Sequence, residues 1–128
     1  MAEKKFSIIN ETKGKLLSLP FEKIKNKILT TKYELDVIFV NEAKIQALNK
    51  IYRKINKPTD ILSFPISKNS GEIFICEKYS KKKAKEFERE YENFIAFLFI
   101  HGCVHLLGFD HGRKMETLET KYREIFSI

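Results

Sequence analysis

The chain has 128 residues, of which 43% are hydrophobic, including eleven phenylalanines. This composition predicts one folded domain over residues 1–128, and it excludes a disordered chain or a two-domain protein. The net charge of +7 favours a polyanionic partner, nucleic acid or an acidic membrane surface, although lysine-rich solvated faces give the same charge. Two cysteines without a CxxC pair favour free thiols in a reducing cytoplasm, and the first nine residues lack the apolar core of an export signal.

The first half of the chain is predicted to alternate between strand and helix. Phe6–Asn10 and Tyr33–Val40 are the strands. A helix follows Pro20, with apolar residues at helical spacing: Phe21, Ile24, Ile28 and Leu29. The lysines between them are expected to face solvent: Lys23, Lys25 and Lys27. Asn41 is a good N-cap for a second helix that ends near Arg53 and has this apolar stripe: Ile45, Leu48, Ile51 and Tyr52.

The second half is predicted to be a pair of strands followed by helices. Ile61–Pro65 and Gly71–Cys76 are the strands, and Glu77–Glu92 reads as one charged helix. Asn93–Ile100 is uncharged and leads into a buried helix. A last helix spans Met115–Phe126. Its inward residues are predicted to be Leu118, Tyr122 and Ile125.

The order β-α-β-α-β-β-α-α-α predicts an α+β (α/β-like) single domain. We expect a small mixed sheet of about four strands, covered by about five helices, with the histidine-bearing helix buried at the centre. The uncharged run from Asn93 to Phe109 is slightly short for a membrane span and carries two histidines. Burial within the protein is therefore expected, and no membrane partner.

All three histidines of the chain fall within eleven residues, at His101, His105 and His111. On a helix the first two project from one face, one turn apart, and Gly108 can take the left-handed conformation that ends the helix. The chain can then return His111 to the same point. A lone histidine here would be a core or capping residue, but three together predict a zinc site with one open position, which is typical of catalysis.

The histidine spacing is shared with zinc proteases of the His-Glu-x-x-His-x-x-Gly-x-x-His type. The residue after the first histidine is their general-base glutamate, whereas here it is Gly102. A zinc peptidase is therefore disfavoured, and a different hydrolysis is expected. Cleavage of a generic peptide, abolished by a chelator, would revive the peptidase interpretation.

Arg53 lies at a predicted helix end, where its planar guanidinium can meet phosphate oxygens. The surrounding sequence resembles the YbeY family of bacterial metal-dependent endoribonucleases. Three blocks carry the resemblance: Asn49-x-x-Tyr52-Arg53 with Pro58-Thr59-Asp60-Ile61-Leu62-Ser63-Phe64-Pro65, Gly71-Glu72-Ile73, and His101-Gly102-x-x-His105-Leu106-x-Gly108-Phe109-Asp110-His111. They extend in the family's order over most of the chain from Leu48 onward.

The resemblance implies that His101, His105 and His111 bind one zinc ion and that Arg53 is important for activity. It also implies a cytoplasmic protein that acts on single-stranded RNA and the 3′ end of small-subunit rRNA, in contact with ribosome-assembly components. Glu72 and Phe109 depart from the family's usual aspartate and tyrosine, and the loop after the last histidine is shorter than in many members.

The sequence supports a hypothesis of phosphodiester cleavage in which zinc activates water or polarises a phosphate oxygen. Arg53 would neutralise the charge that develops on phosphate, and Lys54 and Lys57 would hold the RNA backbone. Asp110 could accept a hydrogen bond from a ligand imidazole, or serve only in the turn. The alternative is a non-catalytic ribosome-assembly factor that binds RNA and has a structural zinc.

Overall fold

The computed structural model describes residues 5–109 and 111–128. Their elements follow the predicted order. The bounds are β1 (Phe6–Asn10), α1 (Phe21–Leu29), β2 (Glu34–Phe39), α2 (Glu42–Arg53), β3 (Ile61–Ser67), β4 (Ser70–Ile75), α3 (Glu77–Glu86), α4 (Tyr91–Leu106) and α5 (Arg113–Ile125). Among the described residues, no helix is long and apolar enough to cross a membrane.

The four strands form one mixed sheet in the order β1-β2-β4-β3, which confirms the predicted α+β class. β1 and β4 both pair with β2 in parallel. β3 pairs antiparallel with β4 because the two strands are joined by a tight turn, where the hydroxyl groups of Ser67 and Ser70 are 2.7 Å apart. Because β3 is last in the strand order, it is an edge strand of the sheet.

Alternating side chains give the sheet two buried faces. Val37 and Phe39 of β2 belong to a large core shared with α1, α4 and α5. Ile38 of the same strand belongs to a smaller cluster with Ile45 of α2 and Leu62 of β3. α4 thus lies at the centre of one layer, as predicted, while α2 covers the opposite face.

The prediction of one helix over Glu77–Glu92 is wrong. The helix that begins at Glu77 ends at Glu86, and a separate helix begins at Tyr91. Glu88 has φ of 53°, and the amide of Arg89 donates to the Ala84 carbonyl at 3.0 Å. A left-handed residue of this kind ends a helix, usually as glycine. Since glutamate stands there, the sequence carries no signal for the break.

Several predicted side-chain positions are also wrong. Lys25 was expected to face solvent, but it is only 1% exposed, and its ammonium group lies 3.5 Å from the Thr31 carbonyl; burial lowers its pKa. Ile51 and Tyr52, expected in the apolar stripe of α2, are 69% and 64% exposed, and Ile125 of α5 is 47% exposed. These residues lie in the last turns of their helices, where the helix no longer packs against the core.

Candidate metal centre

α4 is the longest apolar helix of the chain, and it carries His101 and His105 in its last two turns. The helix stops at Leu106, and Gly108 follows with φ of 101°, the predicted left-handed turn. His111 lies just beyond this turn, immediately before α5. Local sequence therefore brings a third imidazole back towards the first two.

The three imidazole rings form a compact triangle. Their centroids lie 6.1 Å apart for His101–His105, 5.3 Å for His101–His111 and 5.5 Å for His105–His111. Three rings that share a tetrahedral zinc have centroids roughly 5 Å apart, since each Zn–N bond is about 2.0–2.1 Å. Among residues 5–109 and 111–128, no group of three His, Cys, Asp or Glu side chains is placed so that it could hold a metal ion, so the rings would have to draw together by about 1 Å or less.

The Nδ1 atoms of two of the three rings already have hydrogen-bond partners. His101 Nδ1 is hydrogen-bonded to the carboxylate of Glu119 on α5, and His105 Nδ1 lies 3.0 Å from the Phe109 carbonyl oxygen. Metal-ligating histidines are usually held in this way, because the bond on one nitrogen fixes the tautomer and aims the other at the ion. The donor chemistry of the site therefore fits zinc bound through Nε2.

Glu119 is a candidate site residue that the sequence did not reveal. It is one of the few buried charged residues among those described, and it follows buried Met115 by four positions on α5. A carboxylate is rarely buried without a cation or a hydrogen-bond donor. The available signal was a carboxylate on the apolar, inward face of a predicted amphipathic helix.

Gly102, which separates this chain from the zinc proteases, is buried against the sheet. A Cβ atom at this position would come within 2.9 Å of Ser63 Oγ and about 3.0 Å of the Ile61 side chain. The residue is thus a packing glycine that lets α4 approach β3 closely. A glutamate there would collide with β3 and would not reach the histidines.

The β3 part of the Thr59–Pro65 motif does reach the histidine cluster. Ser63 and Pro65 line a cavity of about 200 Å³ together with His105 and Phe109. The neighbouring residue Phe64 points to the other face, where its ring lies 4.9 Å from that of Tyr52. β3 therefore separates the histidine cluster from the end of α2.

Arg53 is the last residue of α2, the helix on this second layer. Its side chain is exposed, and it makes no hydrogen bond or ion pair with any described residue. Lys54 is the left-handed cap of the helix, with φ of 60°. Buried Asn49 fixes the loop that follows, because its Nδ2 donates to the Lys57 carbonyl at 2.9 Å. The structure groups the three cations at one end of α2, and among the described residues no hydrogen bond joins them to the histidines.

Two residues close to the histidines in the sequence add nothing to the described site. Asp110 lies outside the described residues. Cys103 is fully buried, and burial raises the pKa of its thiol. It is a free thiol in the core, as predicted, and it contributes to packing.

Fold and site together define a small α+β domain with a cluster of histidines where its central helix ends. Residues 2–127 match the family model described as "Endoribonuclease YbeY". The chain belongs to the YbeY family of endoribonucleases, which confirms the resemblance seen in the sequence.

Relatives from distant bacteria agree with this placement. The chain is 44% identical to the endoribonuclease YbeY of Aliarcobacter butzleri over 108 residues, which cover 80% of this chain and 76% of the relative. It is 40% identical to the Aquifex aeolicus protein of the same name over 98 residues, covering 72% of this chain and 65% of that one. The solution structure of TM1509 from Thermotoga maritima superimposes with a TM-score of 0.68 at 30% identity, over 95% of this chain and 89% of that one.

Proposed function

We propose that this protein is a zinc-dependent endoribonuclease that is specific for single-stranded RNA. In this proposal it holds one zinc ion per chain through His101, His105 and His111. It acts in the cytoplasm on the 3′ end of small-subunit rRNA, in rRNA maturation and ribosome quality control with small-subunit assembly components. The observation that carries the proposal is the triangle of rings with two Nδ1 atoms already occupied.

Each residue has a separate role in this mechanism. Zinc bound to the three imidazoles would supply a Lewis acid and lower the pKa of a coordinated water. Arg53 neutralises the charge that develops on the phosphoryl oxygens during cleavage. Lys54 and Lys57 hold the RNA backbone, since they follow Arg53 in the loop fixed by Asn49.

Removal of the metal tests the proposal directly. We expect chelated protein to lose cleavage of a labelled single-stranded RNA and stoichiometric zinc to restore it, while a duplex of the same sequence stays intact. Cleavage that survives complete chelation would contradict the proposal. The ends of the products identify the nucleophile: a cyclic phosphate indicates attack by the RNA 2′-hydroxyl, and a simple phosphate monoester indicates attack by water.

The Glu119–His101 hydrogen bond gives a prediction on metal affinity. Glu119→Gln keeps an acceptor for the imidazole but removes the charge, so we expect the Kd for zinc to weaken by roughly tenfold, and by about 100-fold for Glu119→Ala. Competition with a chromophoric chelator measures the Kd, and a melting curve checks the fold. Glu116→Gln is the matched control, because Glu116 is an exposed carboxylate one turn earlier on α5. Equal affinities for parent and Glu119→Gln would rule out the positioning role.

A non-catalytic assembly factor with a structural zinc is the second candidate. Its support is that Arg53 makes no hydrogen bond or ion pair with the histidines among the described residues, because a surface cation can bind the RNA backbone without taking part in cleavage.

A further inference from the structure

α4 presents one narrow open stripe to solvent. Between Phe94 and Val104 only Phe97 and His101 are not buried. They are four residues apart, so they lie on the same face about 6 Å apart along the helix axis. Phe97 is thus the aromatic neighbour of the metal centre, one helical turn before it.

α5 packs alongside this stripe and runs antiparallel to α4. Glu119 meets His101, and Arg123, one turn later, places its guanidinium carbon 5.1 Å from the centroid of the Phe97 ring. Arg89, in the break before α4, places its guanidinium 4.4 Å from the same centroid. Two cations therefore converge on one ring beside the histidine cluster.

Neither guanidinium is neutralised by a carboxylate among residues 5–109 and 111–128. Arg123 donates to Thr120 Oγ1 at 3.1 Å, and Arg89 donates to Asn93 Oδ1. Each such bond uses only part of a guanidinium's five donors. The aromatic ring attracts the cations and limits their rotamers. The remaining donors of each planar guanidinium are therefore free to make a bidentate contact with two oxygens of a phosphate.

Arg123 and Phe97 also border a cavity of about 280 Å³ whose wall includes His111 and Glu119. The cavity therefore connects the histidine cluster, through His111, with Arg123 and the Phe97 ring. Arg89 reaches the same ring from outside the cavity wall. Two carboxylates also line the wall: Glu119 is bonded to His101, and Glu116 is exposed. Grooves that hold single-stranded nucleic acid combine cations with aromatic rings in this way.

We propose that Arg123 and Arg89, held on Phe97, form a subsite for a backbone phosphate of single-stranded RNA, one helical turn of α4 before His101. The proposal rests on RNA being the substrate, as in the proposed function. In this proposal the bound RNA runs along the cleft between α4 and α5 and away from β3. It uses cations that are separate from the group at the end of α2.

Binding of RNA without turnover tests the subsite. The probe is a fluorescein-labelled single-stranded RNA of roughly ten nucleotides, titrated with chelator-treated protein and followed by fluorescence anisotropy over a series of salt concentrations. We expect Arg123→Gln to raise the Kd for this RNA by roughly five- to tenfold. The slope of log K against log salt should fall by about 0.7, the value for one phosphate contact on a single strand. Arg89→Gln should show the same two effects.

Two matched variants on α5 serve as controls. Lys121→Gln removes a cation that also lies over an aromatic ring, at 5.9 Å from Tyr122, and should leave the Kd within about twofold. Glu116→Gln should tighten binding, because it removes an exposed negative charge from the cavity wall. Melting curves show that each variant is folded.

An unchanged Kd and salt slope for folded Arg123→Gln and Arg89→Gln would overturn the subsite. An effect of Lys121→Gln as large as that of Arg123→Gln would also overturn it, since net charge would then explain both. These results are independent of cleavage. If the parent with zinc cleaves no RNA while Arg123→Gln still weakens binding, the proposed enzyme activity fails and the subsite stands.

Discussion

Replacing His105 by alanine is expected to abolish zinc binding. His105 supplies one of only three proposed ligands, and its Nδ1 is already held by the Phe109 carbonyl. We expect the Kd for zinc to rise by more than about 100-fold, because loss of a ligand costs more than the 10- to 100-fold loss caused by removing a supporting hydrogen bond. Metal content is measured on protein purified without added metal.

The parent should contain near-stoichiometric zinc and His105→Ala none. Leu107→Ala is the matched control, since Leu107 is a half-exposed neighbour just beyond α4 that offers no metal ligand; it should retain the zinc of the parent. Full zinc occupancy in folded His105→Ala would show that the histidine cluster is not the metal site. The same result would remove the support for a metal-dependent nuclease.

Replacing Arg53 by alanine is expected to reduce RNA cleavage by a factor of about 10² to 10³, the cost of removing one donor that stabilises charge in the transition state. Zinc content and melting temperature should not change, because the Arg53 side chain is exposed and makes no hydrogen bond or ion pair among the described residues. The rate is measured on single-stranded RNA at saturating concentration. In an assembly factor that only binds RNA, the same change would lower affinity modestly.

Lys50→Ala is the control for Arg53→Ala. Lys50 is an exposed cation one turn earlier on α2, so it contributes a similar long-range charge without standing at the helix end. Cleavage by Lys50→Ala should stay within about twofold of the parent, since surface charges are screened over roughly 8–10 Å. Equal losses in the two variants would mean that Arg53 acts only through net charge.

The order of the elements and the grouping of the histidines were predictable because both depend on short-range patterns. Alternation of apolar side chains identified the strands, and the Asn41 cap was confirmed by its bond to the Lys44 amide at 2.8 Å. The break between α3 and α4 was not predictable, because Glu88 takes a left-handed conformation that glutamate does not signal. The burial of Lys25 was missed for a related reason: a long aliphatic stem can be covered while its ammonium group finds a carbonyl nearby.

The sequence by itself determined that His101 and His105 share a helix face and that the turn at Gly108 returns His111 to them, since all three lie in one local segment. It also determined the family. Only the tertiary structure decided that Glu119 is bonded to His101, that Arg123 lies on Phe97, and that α2, which ends at Arg53, packs on the opposite face of the sheet. These contacts join elements far apart in the chain. The packing of α5 along α4 and of α2 across the sheet sets them, and neither packing leaves a local pattern in the sequence.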